Sequence, residues 1–128
     1  MTDFKWLPKG AVLAIHARQL AEHGGATGVR DVGLLESALQ RPQDKLAYGD
    51  PDAAELAAAY AYGLARNHPF VDGNKRTALV VSRTFLLHNG WQINATPQDR
   101  LRTFLALASG ELSETQLADW FRTHLVKV

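Results

Sequence analysis

Apolar residues recur every three or four positions along most of the chain, which is the period of an amphipathic α-helix. In the first stretch, residues 8–22, Val12, Ile15 and Gln19 share one stripe, and Gly24 stops the pattern. Five further stretches of this kind begin near the following positions: Asp31, Asp52, Asn74, Pro97 and Ser113. The chain is therefore predicted to be all-α, a compact bundle of about six helices joined by short loops.

The stretch 74–88 is apolar nearly all round in its interior, so it is predicted to be a buried central helix. Residues 79–81 would also suit a strand, but the length of the segment favours a helix. The second helix is predicted to end at Pro42, because proline disfavours helical backbone before it. Residues 91–95 are predicted to be a short extended piece, and Leu125 is placed on the apolar face of the sixth helix. The fifth helix is predicted to carry four apolar residues on one face: Leu101, Phe104, Leu105 and Ala108.

The composition is that of one ordinary globular domain, predicted to span residues 1–128. Hydrophobic residues make up 46% and charged residues 21%, both close to globular averages. The net charge of +1 argues against a dedicated binder of nucleic acid or membrane surfaces, and no apolar run is long enough for a transmembrane helix. The chain lacks cysteine and begins without a secretory signal pattern, which excludes disulfides and cysteine-based zinc sites and favours a cytoplasmic protein.

The candidate chemistry is concentrated in one loop, His68-Pro69-Phe70-Val71-Asp72-Gly73-Asn74-Lys75-Arg76, which precedes the central helix. Cations are electrostatically disfavoured at a helix N-terminus, so Lys75 and Arg76 need an explanation there. A bound anion supplies one. Free backbone N–H groups, the Gly73 turn and the two cationic heads would then converge on phosphate oxygens.

The remaining polar residues of the loop complete a phosphoryl- or nucleotidyl-transfer site. Asp72 is suited to hold a magnesium ion that bridges phosphates, and a neutral His68 is suited to accept a proton from an attacking hydroxyl. Taken singly, Asp72 is better explained as a helix cap and His68 as part of a turn. Phe70 is expected to anchor the loop in the core, and Arg66 either faces the same cleft or is a helix-end cation.

The loop resembles the signature of the Fic family, His-Pro-Phe-x-Asp/Glu-Gly-Asn-x-Arg. With Lys75 before Arg76 and Thr77-Ala78-Leu79 after it, the segment looks most like the Doc (death-on-curing) branch, the toxins of bacterial toxin–antitoxin pairs. A second stretch, residues 25–39, resembles the Gly-x-x-Gly-x-Arg-Asp-x-Gly-Leu-Leu-Glu-Ser-Ala block of Doc-like chains. The resemblance covers nearly the whole chain.

The resemblance implies transfer of part of a nucleotide to a protein hydroxyl. By similarity, His68 would deprotonate the hydroxyl, Asp72 would bind Mg²⁺ and Phe70 would be structural. The anion-binding loop would be formed by Gly73, Asn74, Lys75 and Arg76.

Two departures from the broad Fic pattern indicate which part of ATP is transferred. AMP-transferring members have Gly where this chain has Lys75, and a second Arg where it has Leu79. In Doc-like proteins these two departures accompany a reversed orientation of the bound nucleotide, so that the terminal phosphate of ATP faces the base. That phosphate is transferred to a threonine of elongation factor Tu, which stops translation. Pro69 and Gly73 match the general Fic loop better, so AMP transfer is an alternative. A non-catalytic corepressor of an antitoxin is another, against which the intact set of loop residues argues.

Control is expected to come from a second protein. Many Fic proteins carry an inhibitory helix of the form Ser/Thr-x-x-x-Glu-Gly/Asn, and no window of this chain matches it. The resemblance therefore implies a Phd-like antitoxin whose tail folds into a groove of the toxin. The first two helices and Leu34-Leu35 are candidates for that groove, with a core position for these leucines equally consistent.

Several other residues carry structural predictions. His16 and His23 are predicted to lie on the surface, because a metal pair would need a spacing of four residues and a carboxylate nearby. Arg30 and Asp31 are predicted to form a salt bridge and a helix cap. Four aromatic residues are predicted to pack rather than bind ligand: Tyr60, Tyr62, Trp91 and Trp120.

Overall fold

The computed structural model describes residues 3–128, so Met1 and Thr2 of the predicted domain lie outside the described residues. Within that range there are six helices: α1 (Lys9–His23), α2 (Val32–Ala47), α3 (Ala53–Asn67), α4 (Asn74–His88), α5 (Pro97–Ser109) and α6 (Glu114–His124). Two short strands, β1 (Trp91–Ile93) and β2 (Leu125–Lys127), pair antiparallel. The prediction of an all-α fold with six helices is confirmed. In the part of the chain that the structure describes, none of the helices combines the length and apolar character needed to cross a membrane.

Four helices begin where a side chain caps the first turn. The caps are Asp31, Asp52, Thr96 and Ser113, and each accepts a hydrogen bond from the backbone N–H three residues later. Each cap satisfies a donor that the helix itself leaves free. This local chemistry explains why the predicted starts of these helices agree with the structure.

The core is built around α3, the most deeply buried helix, whose Leu56, Tyr60 and Leu64 are fully buried. α4 packs on α3, where the ring centroid of Phe85 lies 5.1 Å from that of Tyr60, and it also contacts α1, α5 and β1. The Tyr60 hydroxyl accepts a hydrogen bond from the N–H of Leu7, and burial raises the pKa of Tyr60. The centre of the fold is therefore formed by α3 and α4 together, whereas the sequence predicted α4 alone. The site loop joins these two helices.

The prediction that Pro42 ends the second helix is wrong, because α2 continues through Pro42 to Ala47. A proline inside a helix removes one backbone hydrogen bond. Contacts on both sides of Pro42 hold this part of the helix against the rest of the fold. Leu46 packs against the core, and Arg41 and Lys45 both pair with Glu114 of α6.

Two predictions near the C-terminal half also differ from the structure. The prediction that Leu125 belongs to α6 is wrong, because Leu125 begins β2 and its extended backbone pairs with Ile93 of β1. On α5, Phe104 is buried, whereas Leu101 and Leu105 are exposed. Helix α5 therefore presents apolar side chains to solvent.

Candidate active site

Backbone pairing with the segment that precedes α2 holds the loop of residues 68–76 in place. Val29 and Phe70 form an antiparallel bridge. The N–H groups of Arg30 and Asp31 donate to the carbonyl of Pro69, at 2.7 Å and 3.1 Å. This pairing joins two segments far apart in the sequence and gives the loop a defined backbone.

His68 ends α3 in the left-handed region, with φ 50° and ψ 55°, which is rare for a residue other than glycine. The guanidinium of Arg30 stabilises this turn, because Nε donates to the carbonyl of His68 at 2.7 Å and Nη2 to that of Asn67 at 2.9 Å. Arg30 thus caps the C-terminus of α3 instead of forming the predicted salt bridge, while Asp31 caps α2 as predicted. The His68 side chain is exposed.

The side chain of Asn74 stabilises the loop through two hydrogen bonds to the backbone of Phe70. Its Oδ1 accepts from the N–H of Phe70 and its Nδ2 donates to the carbonyl of Phe70, both at 3.0 Å. Phe70 is almost fully buried in the core cluster, in agreement with the anchoring role expected for it. Both polar atoms of the Asn74 side chain are therefore used in hydrogen bonds within the loop. Its backbone N–H is the group that can donate to an anion.

His16 of α1 lies beneath the loop, where it is only 5% exposed. Its ring stacks on Phe70 with centroids 3.7 Å apart and planes 8° apart. Its Nε2 donates to the carbonyl of Asp72 at 2.9 Å, since a carbonyl oxygen can only accept. The prediction of a surface position is wrong for His16 and right for His23. The missed signal was spacing, because His16 lies four residues from both Val12 and Leu20, which are buried.

The carboxylate of Asp72 is exposed and oriented by two backbone groups. Oδ1 accepts from the N–H of Gly73 at 2.9 Å, and Oδ2 accepts from the N–H of Ala26 at 3.3 Å. Gly25 packs so closely that a Cβ there would lie 2.8 Å from Oδ2. The described residues contain no cluster of three or more His, Cys, Asp or Glu that would hold a metal alone. One carboxylate beside an uncapped helix start suits Mg²⁺, which can take its remaining ligands from phosphates and water.

A cleft of about 540 Å³ opens between the loop and the end of α1, and we call it the α1 cleft. Its lining is Gln19, Leu20, His23, Gly24, Gly25, His68, Val71, Asp72, Gly73, Asn74, Lys75 and Arg76. The cleft thus brings together the six site residues expected from the loop: His68, Asp72, Gly73, Asn74, Lys75 and Arg76. Among residues 3–128, no side chain caps α4, which starts after Gly73 at φ 78°. Its first-turn N–H groups, together with Lys75 and Arg76, make this helix start suited to bind an anion.

Arg66 belongs to a different surface. Its guanidinium lies 5.9 Å from the ring centroid of Tyr62 and packs against Gly110, in a separate cleft. The geometry therefore favours the helix-end alternative for Arg66. Tyr62 is half-buried and receives a second cation, Arg41, at 4.8 Å, so it packs as predicted.

Comparison with known proteins identifies the family. The sequence model described as the Fic/DOC family matches residues 6–86, which is more than half of the chain. This chain belongs to the Fic/Doc family. The Fic/Doc protein is 37% identical over 112 residues to "Protein kinase doc" of Escherichia phage P1, a match that covers 87% of this chain and 88% of the relative. It is 50% identical over 74 residues to "Toxin Doc" of Mycolicibacterium smegmatis, covering 56% of this chain and 57% of that protein. The predicted membership of the family, in its Doc-like branch, is confirmed.

The two positions at which this Fic/Doc protein departs from the broad Fic pattern differ in their surroundings. Lys75 is exposed at the start of α4, so its ammonium group is free to reach a phosphate. Leu79 is half-buried and packs against the core. In this chain, Leu79 therefore contributes to the core at the position where AMP-transferring members have a second Arg.

Proposed function

We propose that this chain is the toxin of a toxin–antitoxin pair and transfers the terminal phosphate of ATP to a hydroxyl of a protein, with elongation factor Tu as the expected target. One observation carries the proposal: the α1 cleft combines His68, Asp72 and an uncapped, cationic start of α4 in the part of the chain that is described. The names of the two relatives, a protein kinase and a toxin, support the same activity.

His68 acts as the general base. The hydroxyl oxygen of the target bonds to the terminal phosphorus, the bond from that phosphorus to the bridging oxygen of ADP breaks, and the hydroxyl proton passes to the imidazole. Arg30 positions the base, because it fixes the carbonyl of His68 and with it the turn that ends α3.

The start of α4 holds the phosphates. The N–H groups of its first turn donate to phosphate oxygens, Arg76 grips two oxygens in a fork and Lys75 acts as a point charge. Asp72 would hold Mg²⁺, an ion that neutralises the phosphate charge when bound. His16 and Asn74 keep these groups in place, since they fix the carbonyl of Asp72 and the backbone of Phe70.

AMP transfer to a protein hydroxyl is the second candidate, favoured by Pro69 and Gly73, which match the general Fic loop. The position of the label separates the two reactions. In phosphorylation, elongation factor Tu incubated with the chain, Mg²⁺ and ATP gains label from the terminal phosphate. Label from the alpha phosphate alone establishes AMP transfer and rejects the kinase.

Substitution of His68 tests the mechanism. His68→Ala is expected to lower the rate of transfer by about 10²- to 10⁴-fold, the usual contribution of a positioned base. His88→Ala is the matched control, because His88 is an exposed histidine at the end of α4, far along the helix from the phosphate-binding start and outside the α1 cleft. A His68→Ala protein with the transfer rate of the parent would reject His68 as the base. Absence of label in the parent itself would favour a non-catalytic corepressor.

Regulation and context complete the proposal. Residues 1–128 act as one catalytic domain in the cytoplasm, where ATP and the translation machinery are present, without direct contact to nucleic acid or membrane. A Phd-like antitoxin restrains it in trans. Leu35 is fully buried and Leu34 is half-buried, so a core position explains these leucines better than an antitoxin groove. Co-expression of an adjacent small antitoxin gene is expected to restore growth of cells that produce the chain.

A further inference from the structure

His68 and Lys75 border a second cleft in addition to the α1 cleft. It measures about 530 Å³ and lies between the site loop and α5, and we call it the α5 cleft. The α5 side contributes six residues: Arg102, Leu105, Ala106, Ala108, Ser109 and Glu111. His68 and Lys75 are the residues that both clefts share, so they form the ridge between them.

The position of this ridge matters for phosphoryl transfer, and here the inference rests on the proposed function. In the transition state the attacking and leaving oxygens lie roughly in line with the transferred phosphorus. The first-turn residues of α4, which bind the phosphates and the departing ADP, line the α1 cleft. An in-line attack then brings the hydroxyl to the phosphorus from the other side of the ridge, where the α5 cleft lies.

We infer that the α5 cleft is the docking site for the acceptor segment of the protein substrate, an extended stretch that presents its hydroxyl to His68. In this arrangement the hydroxyl oxygen bonds to the terminal phosphorus as the bond to ADP breaks, and the proton moves to His68 from the α5 side. ATP in the α1 cleft and the acceptor hydroxyl in the α5 cleft then both reach His68.

The lining indicates which chemistry the acceptor segment carries. Leu105 leaves 46% of its surface exposed at the cleft, and Ala106 and Ala108 continue an apolar wall that suits an apolar side chain. The side chain of Arg102 is 78% exposed, and its pair with Asp99 at 3.3 Å lies at the surface. Such exposed pairs are weak, so a substrate carboxylate can replace Asp99. We therefore expect an acidic and an apolar residue near the acceptor hydroxyl.

Kinetics on cleft variants test the inference. Leu105→Ser and Arg102→Glu are each expected to raise KM for elongation factor Tu about tenfold, the effect of losing a significant interface contact. Their kcat and their affinity for a non-hydrolysable ATP analogue are expected to stay within about twofold of the parent, since neither residue lines the α1 cleft. Leu101→Ser is the matched control, because Leu101 is 43% exposed on the same helix one turn away, outside the cleft.

Equilibrium binding of elongation factor Tu without ATP separates failure of this inference from failure of the proposed function. Label transfer with KM and binding unchanged in both variants overturns the docking site alone. A variant that loses affinity for the ATP analogue also overturns it, because the α5 cleft would then hold nucleotide. Binding that weakens about tenfold in the variants, with no label on the target, keeps the docking site and rejects the kinase. Absence of both label and binding rejects both.

Discussion

A buried histidine outside the signature loop controls the geometry of the site. His16 joins α1 to the loop in two ways, since its ring stacks on Phe70 and its Nε2 donates to the carbonyl of Asp72. The first contact anchors the hydrophobic side of the loop, and the second fixes the residue whose carboxylate faces the α1 cleft. His16 is thus a positioning residue that acts through Asp72.

His16→Phe separates the two contacts, because phenylalanine keeps the stacked ring and removes the donor. The unpaired carbonyl of Asp72 is expected to lower the free energy of unfolding by about 1 kcal/mol and to reduce label transfer. Urea denaturation measures the first effect and the transfer assay the second. His88→Phe changes an exposed histidine at the end of α4, outside both clefts, and is expected to leave the free energy of unfolding and the label transfer unchanged. Equal losses in the two variants would contradict a specific role for His16.

At the scale of the helices, α2 and α3 are in close contact at Gly63. A Cβ added at Gly63 would lie 3.0 Å from both the Cα and the Cβ of Ala38. Glycine is unfavourable inside a helix, so its presence in α3 reflects this close packing rather than helix propensity.

Gly63→Ala is expected to destabilise the protein by about 1–3 kcal/mol, because the two helices must separate to admit the methyl group. Gly10→Ala in α1 is the matched control. A Cβ there meets no atom of the described residues within 4 Å, so the substitution is expected to stabilise by about 0.5–1 kcal/mol. Thermal unfolding of both variants gives shifts of opposite sign. A stabilising Gly63→Ala would refute the packing explanation.

Across the whole molecule, an ion pair joins the start of α3 to the last turn of α6. Arg122 Nε donates to Asp52 Oδ2 at 2.8 Å, and Asp52 also caps α3 through the N–H of Glu55. Burial alone would raise the pKa of Asp52, but the hydrogen bonds from Arg122 and from the backbone outweigh it and lower that pKa. The pair therefore links stability to pH.

Because the folded state lowers the pKa of Asp52, its contribution is present above the unfolded value of 3.8 and is lost as the pH falls through the lower folded value. Asp52→Asn keeps an acceptor for the cap and removes the charge. It is expected to flatten the acid limb of the stability curve by no more than about 1 kcal/mol, since the pair is half-exposed and screened by solvent. Denaturation at pH 2 to 6 measures this limb. Asp50→Asn, which removes an exposed carboxylate from the preceding loop, is the matched control.

The local sequence was sufficient for most of the helix boundaries and for the composition of the site. Helix α4 spans the predicted residues 74–88, and Asp52, Thr96 and Ser113 cap helices as their positions indicated. These features depend on residues within about four positions of one another, because caps and helical stripes are local. The family resemblance rested on an equally local segment, the loop of residues 68–76.

Only the tertiary structure decided which side chains meet across the fold. His16 and Asp72 are separated by 56 residues, and Arg30 reaches the carbonyl of His68 across 38 residues. Neither contact has a local signature, because both depend on how separate helices pack. The same reason explains the helical Pro42, which packing of the following turn on α6 and the core maintains. The sequence by itself thus determined the helices and the chemical groups of the loop, and packing between distant elements determined their orientation and the two clefts at His68.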